Sequence, residues 1–119
     1  MRIGLAQLNY KIGDFAGNYA KIEQAITRLS DSCDLIIFSE LSLSGYYPMD
    51  LIESDAFITI QNNYLDKLAK LSQQLQVSVV IGFIDKNAGK GKPFHNSLCL
   101  ISKGQRLYTY HKRLLPVYD

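Results

Sequence analysis

An α/β fold whose sheet begins with parallel strands is the class this 119-residue sequence predicts, and three observations lead there. Apolar strand-like runs alternate with helical stripes from the first residues onward, the order that crossover connections produce. One run, Leu35-Ile36-Ile37-Phe38, is continuous rather than alternating, the pattern of a strand covered on both faces. Hydrophobic residues make up 47% and charged residues 20%, ordinary globular usage, so a packed core is expected. The length suits one domain, which commonly takes roughly 100–150 residues, and is too short for two.

Each element follows from local pattern. Residues 2–9 place Ile3 and Leu5 on one face and Gly4, Ala6 and Leu8 on the other, which reads as a buried first strand. Turn chemistry at residues 14–17 leads to Asn18 as an expected helix N-cap, with Ile22, Ala25, Ile26 and Leu29 on one stripe and Ser30-Asp31-Ser32 ending it. After the 35–38 strand and a Gly-Tyr-Tyr-Pro turn, Phe57, Ile60, Tyr64, Leu68, Leu71 and Leu75 recur every three or four residues, predicting a long helix from about Ser54. Residues 77–84 are β-branched and nearly uncharged, a third and central strand. Residues 85–93 form a polar loop with Gly89, Gly91 and three lysines, leading into a strand over 96–101. Ser102-Lys103-Gly104-Gln105 is a hairpin turn into the alternating strand 106–110.

Charge and cysteine usage narrow the function classes. Thirteen basic against 11 acidic residues leave a net charge of +2, too small to imply a nucleic-acid or membrane surface. No apolar run approaches the roughly 18 residues of a membrane helix, and the start lacks the apolar core of a signal peptide, so the cytoplasm is the expected compartment. Cys33 and Cys99 show no paired spacing, and neither a metal site nor a disulfide is expected. The lysine-rich loop lacks the spacing of a phosphate loop. His95 and His111 lie near strand ends, where isolated histidines are more often structural than catalytic.

Glu40 directly follows the buried run, at the carboxyl end of a strand, where crevices form in open α/β sheets. By position alone it serves equally as a turn cap or as an acid or base. Its neighbours, Phe38-Ser39-Glu40-Leu41-Ser42-Leu43-Ser44-Gly45-Tyr46, resemble the strand-to-loop signature around the catalytic glutamate of the nitrilase, or carbon–nitrogen hydrolase, superfamily. Tyr110-His111-Lys112-Arg113-Leu114-Leu115-Pro116 resembles the segment carrying that superfamily's catalytic lysine. Ala6-Gln7-Leu8-Asn9, Gly13-Asp14 and Gly17-Asn18 resemble its first strand and helix entry. Gly45-Tyr46-Tyr47-Pro48-Met49-Asp50-Leu51 is similar to the Gly-Tyr-Pro-Pro-x-Asp-Leu stretch of glutaminase domains in the glutamine-dependent NAD synthetase family, with Tyr47 in place of a proline. Leu115-Pro116-Val117-Tyr118 is similar to the Leu-Pro-Asn-Tyr of the same family, with Val117 replacing asparagine.

The resemblance implies a nitrilase-type α-β-β-α sandwich, of which residues 1–119 are the amino-terminal part. It implies Glu40 as general base and acid, Lys112 as oxyanion stabiliser and ion-pair partner of Glu40, and Tyr46 and Tyr118 as part of a glutamine pocket. The family's cysteine nucleophile lies downstream of the lysine, so this chain is expected to hold no nucleophile and to be inactive alone. Cys99 falls inside an apolar strand, where its thiol is blunted, and Cys33 matches nothing catalytic. The implied activity of the whole is glutamine hydrolysis feeding ammonia to ATP-dependent amidation of nicotinic acid adenine dinucleotide. ATP and Mg²⁺ are then needed only by the downstream part, and the complete protein is a homo-oligomer. The expected partners are glutamine and the rest of the same protein, with no nucleic acid and no membrane. A fragment of this kind is expected to associate or aggregate, its strands lacking neighbours. Two other readings stand beside this one: a free-standing amidase of the superfamily acting on a small amide or carbamoyl compound, and a non-catalytic module.

Overall fold

A computed structural model describes residues 1–46 and 55–113. Within them the order is β1 (Ile3–Ala6), α1 (Phe15–Leu29), β2 (Leu35–Phe38), α2 (Asp55–Leu75), β3 (Ser78–Lys86), β4 (Phe94–Ser102) and β5 (Gln105–His111). The strands form one sheet in sequence order, β1, β2 and β3 parallel, then β4 and β5 antiparallel. The expected mixed α/β class is what the chain adopts, with β3 central. The β4–β5 turn follows the expected hairpin chemistry, Lys103 and Gly104 both standing at positive φ (53° and 77°).

Successive crossovers step across the sheet in one direction, so α1 and α2 share one face and touch through Phe15 and Phe57, whose ring centroids lie 4.7 Å apart. That face is the core: Ala6, Ile36, Phe38, Val79, Ile81, Phe83, Cys99 and Ile101 are buried under Ile22, Ile26, Leu65 and Leu68. Among the described residues no helix covers the opposite face of the sheet. Ile3 is 53% and Leu5 77% exposed, while Leu98, Tyr108 and Tyr110 are also exposed. Two expectations are thereby corrected. The first strand is an edge strand buried on one face only, and β2 alternates between half-buried Leu35 and Ile37 and buried Ile36 and Phe38. Apolar continuity reported that both faces of β2 are fit for burial; only packing partners decide which is covered.

The helices carry two further corrections. Asp14, not Asn18, caps α1, its carboxylate accepting from the Gly17 N–H at 3.0 Å. Asn18 lies inside the helix and is fully buried, with its side chain bonded to Lys11 N and O and to Leu43 O, so it joins the loop after β1 to the loop after β2. In α2 the buried stripe is rotated from the expected one: Ile60 is 45% exposed, whereas Gln61 is fully buried. The Gln61 amide accepts from Ile84 N–H (2.9 Å) and donates to Ile84 C=O (2.6 Å). Because β2 pairs β3 only as far as Val80, this side chain takes the place of a strand neighbour further along and satisfies both main-chain groups.

Candidate active site

The carboxyl ends of β2 and β3 and the last residues of β5 meet at one end of the open sheet face. A pocket of about 250 Å³ lies there, lined by Ile37, Glu40, Val80, Asn96, Tyr110 and Lys112, among others. Glu40 and Lys112, 72 positions apart, are ion-paired at 3.0 Å (Lys112 Nζ to Glu40 Oε1). Their side chains remain 43% and 35% exposed, so the pair contributes little to stability as it stands and its importance is positional. β5 delivers Lys112 by strand alternation: His111 pairs with Ser97 and turns toward the helices, so the next residue turns to the open face. The Lys112 N–H donates to Asn96 C=O at 2.8 Å, extending the ladder one residue beyond the strand.

Glu40 is placed by a loop locked on both sides. Gly13 N–H donates to Ser44 C=O, Asn18 holds Leu43 C=O, and Gly45 N–H closes onto Leu41 C=O. Leu41, directly after Glu40, has φ +49° and is buried, a strained conformation retained because its surroundings determine it. Gly45 stands at φ +82°, and a Cβ there would come within 2.8 Å of the Ile12 backbone. Gly82 of β3 lies directly beneath the loop: a Cβ on it would sit 2.4 Å from Leu41 N and 2.8 Å from Ser39 O. A glycine within a strand that otherwise reads as continuous is the sequence signal of such an approach. Gly82→Ala is expected to lift the Glu40 loop and to cost roughly 1–3 kcal/mol by overpacking against backbone. Urea unfolding of the variant against the parent checks this; an unchanged midpoint would show that the loop does not rest on Gly82.

The other expected site residues fall as follows. Tyr46, six residues after Glu40, is 45% exposed, and Tyr118 lies outside the described residues. Cys99 is fully buried on the helix side of the sheet, and burial pushes its thiol up to about 11, so it stays protonated and unreactive near neutral pH. Cys33 is half-buried beside Gly4 and does not line the pocket. His111 bonds Ser97 Oγ through Nδ1 at 2.8 Å and packs at a tilt against His95, with ring centroids 4.2 Å apart. Burial also raises the Tyr10 phenol, partly opposed by the Ser39 and Ser42 hydroxyls beside it on the Glu40 loop. Asn96, whose amide donates to Glu40 Oε1 at 2.5 Å, was read from the sequence only as the start of a strand. Among the described residues no group of three or more His, Cys, Asp or Glu side chains could hold a metal, and no helix is long and apolar enough to cross a membrane.

A carboxylate and an ammonium group thus meet at one end of a mixed sheet, the two residues that the sequence resemblance singles out. The match to the carbon–nitrogen hydrolase family model over residues 2–118 is nearly end to end, and the chain belongs to that family. It is 38% identical over 119 residues to a glutamine-dependent NAD(+) synthetase of Thermotoga maritima, covering 99% of this chain and 20% of that one. Its structure superposes on a glutamine-dependent NAD(+) synthetase of Cytophaga hutchinsonii with a TM-score of 0.88 at 24% identity, over 98% of this chain and 20% of the other. An amidase from Nesterenkonia sp. is matched with a TM-score of 0.81 at 22% identity, over 98% of this chain and 44% of that one. The chain thus spans about a fifth of the length of the synthetases it matches.

Proposed function

We propose that residues 1–119 are the amino-terminal part of a glutaminase domain, and that the complete protein uses it to release ammonia for making NAD. The observation that carries this reading is the 3.0 Å pairing of Glu40 with Lys112 in a pocket at the strand ends. In the proposed reaction a cysteine thiol from the downstream part of the protein gives its proton to Glu40 and attacks the side-chain carbonyl carbon of glutamine. The tetrahedral oxyanion forms beside Lys112, where a fixed positive charge in a water-poor site is worth far more than in solvent. As the C–N bond breaks, Glu40 returns the proton to the departing ammonia; it then takes a proton from the water that cleaves the thioester and passes it to the departing cysteine sulfur, yielding glutamate and the free thiol. Tyr46 and Tyr118 are the residues proposed to bind glutamine.

The synthetase reading is preferred over a free-standing amidase because the 38% identity over the whole chain is to a synthetase. ATP and Mg²⁺ belong to the downstream amidation of nicotinic acid adenine dinucleotide, and this chain's residues take no part in holding them.

The test is to express the protein with the reading frame that continues past Asp119 and to supply glutamine, ATP, Mg²⁺ and nicotinic acid adenine dinucleotide. NAD and glutamate are expected to appear together, with ammonia able to replace glutamine. Amide hydrolysis indifferent to ATP, with no NAD formed, would assign the protein to the free-standing amidases instead.

A further inference from the structure

Glu40 is held by more than its lysine. Both donors that reach its carboxylate among the described residues, Asn96 Nδ2 (2.5 Å) and Lys112 Nζ (3.0 Å), converge on the same oxygen, Oε1. Asn96 also receives the Lys112 backbone N–H on its own carbonyl at 2.8 Å. One residue of β4 therefore touches both members of the pair, the glutamate through its side chain and the lysine through its main chain.

Its own position is rigid, because Asn96 pairs with Ile84 in the β3–β4 ladder and Ile84 is in turn held by the buried Gln61. Asparagine is depleted in strands, so its presence at the head of an otherwise apolar run calls for a polar partner, and Glu40 is that partner.

The chemistry of the contact has a direction. An amide N–H can only donate, so it matches an ionised carboxylate and not a carboxyl proton on the same oxygen. With Oε1 engaged twice, Oε2 is the oxygen left to receive a proton.

We propose that Asn96 is a positioning residue that clamps Glu40 by Oε1 and presents Oε2 to the attacking thiol. This rests on the glutaminase reading above and deepens it.

The decisive variant is Asn96→Asp in the full-length protein, which keeps the shape of the side chain, removes the N–H donor and sets a second carboxylate against the first. Glutamine-dependent kcat/KM is expected to fall by roughly 10- to 100-fold, the loss of one hydrogen bond to a charged group plus repulsion. The acidic limb of its pH profile is expected to move upward by about one pH unit, since a neighbouring negative charge disfavours ionisation of Glu40. Lys112 and Glu40 are the charged side chains lining the pocket, with the Tyr110 phenol as the other titratable group. Asn96→Ala should move the limb in the same direction by less. Ammonia-dependent turnover should persist in both, showing that the variants fold.

A drop in rate with an unmoved acidic limb would mean that Asn96 only supports the strand, and would overturn the proposal, as would Asn96→Asp within about twofold of the parent. Glu40→Gln run in parallel separates the two levels of the argument. If it keeps glutamine turnover, the glutaminase reading itself is wrong; if it is inactive while Asn96→Asp is unaffected, only the role of Asn96 is.

Discussion

Glu40→Gln in the full-length protein is expected to reduce glutamine-dependent turnover by roughly 10²–10⁴-fold, the usual contribution of a positioned general acid and base. The amide preserves the shape of the carboxylate and can still pack in the pocket with Lys112 and Asn96. What it cannot do is take a thiol proton, return it to ammonia, and take another from water, so both halves of the reaction lose the same group. Ammonia-dependent NAD formation should be unchanged, because ammonia enters after amide cleavage. Steady-state assays with the two nitrogen donors, side by side, read the difference directly. Equal loss with both donors would point to misfolding, and no loss with glutamine would remove Glu40 from the chemistry.

Lys112→Met should be nearly as severe, with kcat down by roughly 10²–10³-fold, the range found when one oxyanion donor is removed. The oxyanion exists only in the tetrahedral transition state, so KM for glutamine should change little while kcat carries the loss. A rise in KM at constant kcat would recast Lys112 as a substrate-binding residue. Because Lys112 and Glu40 touch, their effects should not add: the double variant is expected to be close to the weaker of the two single ones. Lys112→Arg is not a conservative rescue, since a planar fork cannot reproduce a compact ammonium held between Oε1 of Glu40 and the pocket.

The site was only partly legible in the sequence. Glu40 and Lys112 could be named because each ends a strand in a recognisable local pattern, and each pattern lies within a short stretch of chain. Asn96, Gly82 and Gln61 could not be assigned that way. Their importance comes from contacts to residues 56, 41 and 23 positions away (Glu40, Leu41 and Ile84), and no local window contains both partners.

Helix faces show the same division. Spacing of apolar residues located α2 correctly but put Ile60 inward, and the structure puts it outward because the Gln61 amide has two main-chain groups of β3 to satisfy. The turn residues before α1 marked its start, while the choice between Asp14 and Asn18 as cap fell to Asn18's bonds with Lys11 and Leu43, available only once the two loops meet.

Sequence by itself determined the alternation of strands and helices, the family, and the two charged residues, since these follow from periodicity and local motif. Tertiary structure alone decided which sheet face is covered, how the Glu40 loop is locked, and that Glu40, Lys112 and Asn96 share one oxygen. Those outcomes depend on packing and hydrogen-bond satisfaction between distant segments, and such energies are set by which groups meet in space.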